Sequence, residues 1–284
     1  MRSLIVDGCS IGRIARGVIF SVSLCLAGSA LGQTAQSDAP PSDMGELGWS
    51  YPSATPLRVH VVRGYSFRQY RMEEALAHVG ANFFTESTQS DRGTSSWGTS
   101  SPDAGWLRRF PDAAGQAMNH HLIVVGAVGA TSFGKNQQIL VDFVRHGGSV
   151  LFLCDSSTLG SQSAKSPFAE MVPLEFPAEG PWRLETEQPD EPVELKAGPD
   201  AAVKKLPSVE SGSPPLVFSY YKVKPKPGAK VLLLADEDPV LILGEFGRGK
   251  VAVFAATCRG YARDGQLAYW EWDAWPGLLA DTLQ

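Results

Sequence analysis

The stretch FVRHGGSVLFLCDSSTLG, residues 143–160, carries the clearest structural pattern in the chain. Its glycine pair, Gly147 and Gly148, follows a segment of helical spacing and is typical of a helix C-terminus. The apolar run at residues 149–153 then predicts a buried strand, which ends at Cys154 and is followed by small polar residues. Because sites in parallel α/β sheets form beyond the carboxyl ends of strands, this polar segment is a candidate site.

The segments upstream alternate between strand and helix patterns. Residues 57–63 have the alternation and β-branched content of a strand, and residues 67–79 place apolar side chains at helical spacing. Residues 82–85 and 122–128 predict two further strands, and residues 137–145 a second helix. Short connections between such elements give right-handed crossovers. We therefore expect a three-layer α/β fold with a mostly parallel sheet between helices.

The second half of the chain predicts a different arrangement. Turn sequences such as ADEDPV and FGRGK separate short strand patterns, so we expect an antiparallel C-terminal meander added to the edge of the first sheet. A hairpin should form across residues 247–249, where two glycines permit positive φ. A Trp-rich closing helix, residues 267–283, should be interrupted by Pro276. The strand patterns lie at residues 216–223, 230–235, 240–246 and 250–256.

The N-terminal residues have the pattern of a secretion signal. Arg13 and Arg16 precede the uncharged run GVIFSVSLCL, and small residues follow it up to Gly32. This order predicts a signal peptide over residues 1–32 and an exported protein, periplasmic or extracellular. The apolar run is short for a membrane span, so we expect none after cleavage, and a retained anchor is the alternative. Residues 33–56 predict a flexible leader, which leaves residues 57–284 for one domain.

The composition limits the classes of function. The net charge is −5 and the basic residues are scattered, so nothing predicts a nucleic-acid partner. Cys154 and Cys258, outside the predicted signal, each end a predicted strand, and we expect two separate buried thiols rather than a disulfide framework. No pattern predicts a cofactor or a metal. His120 and His121 are adjacent in a strand pattern and would face opposite sides.

Three segments resemble one known family. Residues 143–160, the stretch KPKPGAKVLLLADEDPVLILGEFGRGKVAVFAAT and the stretch WEWDAWPGLL are similar to corresponding segments of the class I glutamine-amidotransferase-like proteins, which have a flavodoxin-like fold. The likeness is strongest to secreted bacterial members and trehalose-utilisation-type relatives. The resemblance implies this fold for most of residues 57–284, while activity depends on the site.

The resemblance also implies a catalytic set, and that set is incomplete. The family uses a cysteine on a tight turn and a later His-x-Glu, because an imidazole must take the thiol proton and a carboxylate must orient the imidazole. Cys154 lies at such a turn, but LCDSS lacks the Gly-x-Cys-x-Gly pattern, and the last histidine is His146. We predict a buried, protonated Cys154 that carries no catalysis, with the neighbouring Asp155 raising the thiol pKa.

Two groups of residues remain as candidate binding surfaces. One is a pocket mouth at the carboxyl ends of the first strands, where small and polar residues converge as ligand sites require. The other is a C-terminal aromatic group, able to stack on a sugar or contact a protein, or else to pack under the meander. The pocket residues are Gly64, Tyr65, Gly126, Cys154, Asp155, Ser156 and Ser157, and the aromatic residues are Trp270, Trp272 and Trp275.

The expected function is an exported, non-catalytic amidotransferase-like module that acts in binding or assembly, with a protein or carbohydrate partner. The alternative is an exported hydrolase-like enzyme on carbohydrate or amide substrates that uses residues 154–158. A histidine nitrogen within hydrogen-bond reach of the Cys154 sulfur would favour the enzyme.

Overall fold

The computed structural model describes residues 56–64, 67–87, 110–155, 165–176, 186–202, 206 and 213–283. They belong to one compact unit, Pro41–Gln284. The strands are β1 Arg58–Arg63, β2 Asn82–Ser87, β3 Leu122–Gly126, β4 Ser149–Leu153, β5 Leu174–Glu175, β6 Thr186–Glu187, β7 Val193–Ala197, β8 Pro215–Val217, β9 Tyr220–Tyr221, β10 Lys224–Pro225, β11 Lys230–Ala235, β12 Asp238–Phe246, β13 Gly249–Phe254 and β14 Leu267–Ala268. The α-helices are α1 Met72–His78, α2 Ala114–Ala117, α3 Gln137–Arg145, α4 Phe168–Met171 and α5 Trp275–Asp281.

One mixed sheet holds ten of the described strands, in the order β14-β8-β7-β11-β12-β13-β4-β3-β1-β2. β1 is parallel to β2 and β3, and β4 is parallel to β3 and β13. The order 2-1-3-4, with β13 in fifth place, is that of a flavodoxin-like sheet. Beyond β13 the strands β12, β11, β7 and β8 pair antiparallel in turn. The predicted fold class is therefore confirmed, with β13 as a parallel junction between the two halves.

The hairpin of β12 and β13 is confirmed, with a turn one residue shorter than expected. Phe246 pairs with Gly249, so Gly247 and Arg248 alone make the turn, and Gly247 has a φ of 60°. A Cβ on Gly247 would lie 2.6 Å from the carbonyl oxygen of Arg145, the last residue of α3. The Arg248 N–H donates to that same oxygen at 3.0 Å. The basic turn is thus packed against the end of α3.

Side-chain alternation along the strands builds a core on each face of the sheet. Along β4, Val150 and Phe152 enter one core with α2, α3 and α4, while Leu151 and Leu153 enter the other with α1 and α5. Every residue of β3 is buried, as expected of a strand covered on both faces. The result is the three-layer arrangement that the sequence predicts.

Two helical predictions differ from the structure in detail. Arg71 adopts a left-handed conformation, with φ 55°, and separates a 3-10 turn at Phe67–Tyr70 from α1. Its guanidinium donates to the Trp272 carbonyl at 3.1 Å, which ties this break to the C-terminal segment. Pro276 lies in the first turn of α5, where its missing N–H costs nothing, so it begins the helix rather than interrupting it. Within the described residues, no helix has the length and apolar character needed to cross a membrane.

Candidate functional site

The carboxyl ends of β1, β3, β4 and β13 meet at one edge of the sheet, here termed the carboxyl edge (residues 64, 126–127, 154–155 and 255–259). The Gly64 N–H donates to the Gly126 carbonyl at 2.8 Å. A Cβ on Gly64 would overlap the carbonyl oxygen of Ala127, and a Cβ on Gly126 would overlap the Phe67 ring. Ala127 itself has a φ of 55°, unusual for a residue with a Cβ. Both glycines therefore allow close packing, and Phe67 and Ala127 fill this corner.

Cys154 is fully buried on the face of the sheet that carries α3. Burial raises the pKa of its thiol, and the negative charge of Asp155 raises that pKa further. Its backbone N–H donates to the Phe254 carbonyl at 3.0 Å, which continues the pairing of β4 with β13. The predicted burial and raised pKa of this thiol are confirmed.

Tyr70 holds the backbone at Cys154 from the opposite face of the sheet. Its hydroxyl donates to the Cys154 carbonyl and lies 3.3 Å from the Ala256 carbonyl. Burial, and then the neighbouring Cys258, raise the pKa of Tyr70 well above its ordinary value, so the hydroxyl keeps its proton. The indole N–H of Trp275 donates to the Tyr70 carbonyl at 2.9 Å. Tyr70 thus links the carboxyl edge to α5.

Asp155 is a buried acid with partners from two other segments. Its carboxylate accepts from Arg259 Nε at 2.7 Å, and its backbone carbonyl accepts from the Tyr221 hydroxyl at 2.8 Å. A buried carboxylate is stable only when paired, and Arg259 supplies that pairing. These contacts bring together the ends of β4, β9 and β13.

The second free thiol belongs to the other core. Cys258 is buried with α1 and α5, and its sulfur lies 3.3 Å from the Tyr269 hydroxyl. Burial is the main cause that raises the pKa of Cys258. Because Cys154 enters the core on the opposite face, the prediction of two separate buried thiols is confirmed.

The histidines lie away from the carboxyl edge. His120 and His121 precede β3, and the His60 ring stands 5.2 Å from that of His120. His121 Nδ1 accepts the Arg58 backbone N–H at 2.9 Å, and His146 Nδ1 lies 2.7 Å from the Asp142 carbonyl. All of the histidines fall within the described residues, and none is hydrogen-bonded to the Cys154 sulfur. In the same residues no group of three or more His, Cys, Asp and Glu could hold a metal ion.

The aromatic group packs in the core, which agrees with the second of the two roles that the sequence left open. Trp275 is fully buried, and Trp272 and Trp270 are 3% and 8% exposed. The Trp275 ring lies 5.0 Å from Phe254 and 4.9 Å from Tyr269, between centroids. These rings pack α5 and the preceding 3-10 turn onto the sheet, and they offer too little exposed area for stacking on a sugar.

Three of the predicted pocket residues, Tyr65, Ser156 and Ser157, lie outside the described residues. Sequence reasoning missed Tyr70, Tyr221 and Arg259 at this edge. Arg259 follows the strand pattern at residues 250–256, so the parallel pairing of β13 with β4 would have placed it beside Asp155. The sequence predicted an antiparallel meander at the edge of the first sheet, whereas β13 pairs parallel with β4, and a local strand pattern does not specify its neighbour.

The order of the parallel strands defines the class of protein, a flavodoxin-like α/β domain. The family model described as "Putative glutamine amidotransferase", GATase1_like, matches residues 102–284. The match covers more than half of the chain, so the chain belongs to this family.

Two solved Salmonella typhimurium structures are similar in fold. The Cytoplasmic Protein STM3548 has a TM-score of 0.60 at 17% identity, and its match covers 80% of this chain and 98% of that one. The Cytoplasmic Protein STM1381, from strain LT2, has a TM-score of 0.58 at 15% identity with the same coverages. At these identities the likeness concerns the fold alone. No curated protein sequence matches the chain significantly.

The expected localisation, exported to the periplasm or the medium, is corrected by this comparison. Both similar Salmonella proteins are described as cytoplasmic, which points away from export. Residues 1–55, which carried the expectation of a signal peptide and leader, lie outside the described residues.

Proposed function

We propose that this protein is a non-catalytic amidotransferase-like module that acts by binding a protein or carbohydrate partner. The observation that carries the proposal is the state of Cys154, a fully buried thiol whose pKa is raised by burial and by Asp155. A nucleophilic cysteine needs the thiolate near neutral pH and access for its substrate. Cys154 has neither property.

The backbone around Cys154 also supports a role without catalysis. An oxyanion site needs N–H groups that point at the substrate. Here the Cys154 N–H donates to Phe254 and the Ala127 N–H donates to the Leu153 carbonyl at 2.9 Å. Both N–H groups are therefore used in hydrogen bonds between strands and do not point at a substrate.

The test is alkylation of each cysteine, followed by mass spectrometry of the resulting peptides. At pH 7, iodoacetamide should label Cys154 in the native protein at least ~100-fold more slowly than in urea, because a core position opens rarely. Native protein should release no ammonia from L-glutamine, and Cys154→Ser should leave that baseline unchanged. Labelling faster than in the unfolded control, with ammonia release that requires Cys154, would overturn the proposal.

A further inference from the structure

The Asp155–Arg259 pair is unequal in burial. The Asp155 side chain is 5% exposed, whereas that of Arg259 is 44% exposed. The contact runs through Nε, and a guanidinium has five N–H donors, so four remain on the two Nη atoms. Within the part of the chain that the structure describes, no other side chain or carbonyl accepts from them. The exposed part of the Arg259 side chain is therefore open to a ligand.

Arg259 is held in one orientation before any ligand arrives. Arg259 Nε donates a hydrogen bond to the Asp155 carboxylate at 2.7 Å, and the Tyr221 hydroxyl donates to the Asp155 backbone carbonyl at 2.8 Å. A Cβ on Gly260, which has a φ of 111°, would overlap Phe218, so the chain after Arg259 leaves the edge along a fixed path. A fixed arginine loses less side-chain entropy on binding than a free one.

The position of Arg259 is also that of a ligand site. It follows β13, which is parallel to β4, so it lies at the carboxyl edge with Asp155. Ligands of open parallel α/β sheets bind outside this edge. Arg259 is thus an exposed cation at the edge where the fold places its sites.

We propose that the Nη atoms of Arg259 bind a carboxylate group. A carboxylate matches the planar fork of a guanidinium with two parallel hydrogen bonds. The pair Asp155–Arg259 has no net charge, so a monoanion fits better than a phosphate dianion, which would meet stronger repulsion from the buried Asp155. This inference rests on the proposed binding function and names the chemistry that the edge recognises.

The carboxylate can come from the C-terminus of a peptide or from a small organic acid, and a titration separates the two. The probes are acetate, the peptide acetyl-Ala-Ala with a free carboxylate, and the same peptide as its amide. The readout is the NMR signal of the Arg259 Nε–H in the full chain. Saturable shifts with a free carboxylate and none with the amide are expected. Tighter binding of the peptide acid than of acetate would identify a peptide terminus, and equal binding a small acid.

The decisive variant is Arg259→Lys, which keeps a cation beside Asp155 and removes the fork. The matched control is Arg263→Lys, an exposed arginine of the same loop. Both are read from backbone amide shifts. Arg259→Lys should weaken binding of the carboxylate probe about tenfold, and Arg263→Lys less than twofold. Equal losses in both variants, shifts with the amide, or no saturable binding of either acid would overturn the proposal.

This outcome is separable from failure of the proposed function. Ammonia released from L-glutamine in a Cys154-dependent manner would refute the non-catalytic role and leave the carboxylate titration to be judged by itself. A silent titration with no ammonia release would refute only the Arg259 site.

Discussion

The two ends of the parallel strands differ in their side chains: Cys154 lies at the carboxyl end, and His120 and His121 lie at the amino end. The carboxyl edge holds the thiol of Cys154 but no histidine within reach of it. Among the described residues, the amino ends of the strands hold His120 and His121 but no cysteine. β4 alone has five residues, so its first and last residues lie about 13 Å apart at roughly 3.3 Å per residue. No side-chain rotation spans that length.

A cysteine at a strand end is by itself weak evidence for catalysis. A nucleophile of this class acts only with a base and free N–H donors at the same edge. At Cys154 the surrounding groups are used for structure, since Tyr70 binds its carbonyl and Phe254 its amide. Among the described residues of the carboxyl edge, Cys154 is enclosed and Arg259 is exposed.

The largest effect should come from removing Trp275, which supports the carboxyl edge through Tyr70. Trp275→Ala deletes a fully buried ring and the hydrogen bond to the Tyr70 carbonyl, and should lower the free energy of unfolding by about 4 kcal/mol. Urea denaturation followed by circular dichroism measures the loss, and alkylation of Cys154 should accelerate in the same variant. Tyr261→Ala is the control, because Tyr261 is 93% exposed and its loss should stay within about 0.5 kcal/mol. Similar losses in the two variants would contradict the core role of the aromatic group.

A smaller loss of unfolding free energy is expected when a methyl group is added at Gly64, where the segment after β1 packs against the segment after β3. In Gly64→Ala the new methyl would overlap the Ala127 carbonyl oxygen, and the backbone shift should cost about 3 kcal/mol. The matched control is Gly115→Ala in α2, where nothing lies within 4 Å of the added Cβ and a helical alanine should be neutral or stabilising. Urea midpoints of both variants decide the point. If Gly64→Ala is as stable as Gly115→Ala, the carboxyl edge is not closed at this corner.

The sequence predicted the fold well and the site poorly, for physical reasons. Periodicity is a local property, so it identified the run at residues 149–153 as a strand and residues 137–145 as a helix. It also placed Cys154 correctly at a strand end. The contacts of Arg259 and Tyr221 with Asp155 depend on which strand lies beside β4, and that pairing is set by packing over 66 to 104 residues of separation. The burial of Trp270 and Trp272 likewise depends on how the last segment folds back onto the sheet, which a helical pattern alone does not specify.

The smallest effect is expected at the amino ends of the strands and concerns pH. Burial, and then the charge of His60, lower the pKa of His120, and Arg58 and His121 act in the same direction. The folded state therefore resists protonation of His120 more than the unfolded chain does. Its contribution is complete above the unfolded pKa, about 6.5, and stability is lost as the pH falls below that value towards the lowered folded pKa.

His120→Gln retains a donor for the Ala117 carbonyl, 3.3 Å from His120 Nδ1, and removes the titrating ring. The unfolding free energy of this variant should fall less than that of the wild type between pH 7.5 and 5.5, with His78→Gln, an exposed histidine at the end of α1, as the control. Because His120 is only half-buried, the difference should be small, and urea midpoints at both pH values must be compared. Equal acid sensitivity of His120→Gln and wild type would contradict the lowered pKa of His120.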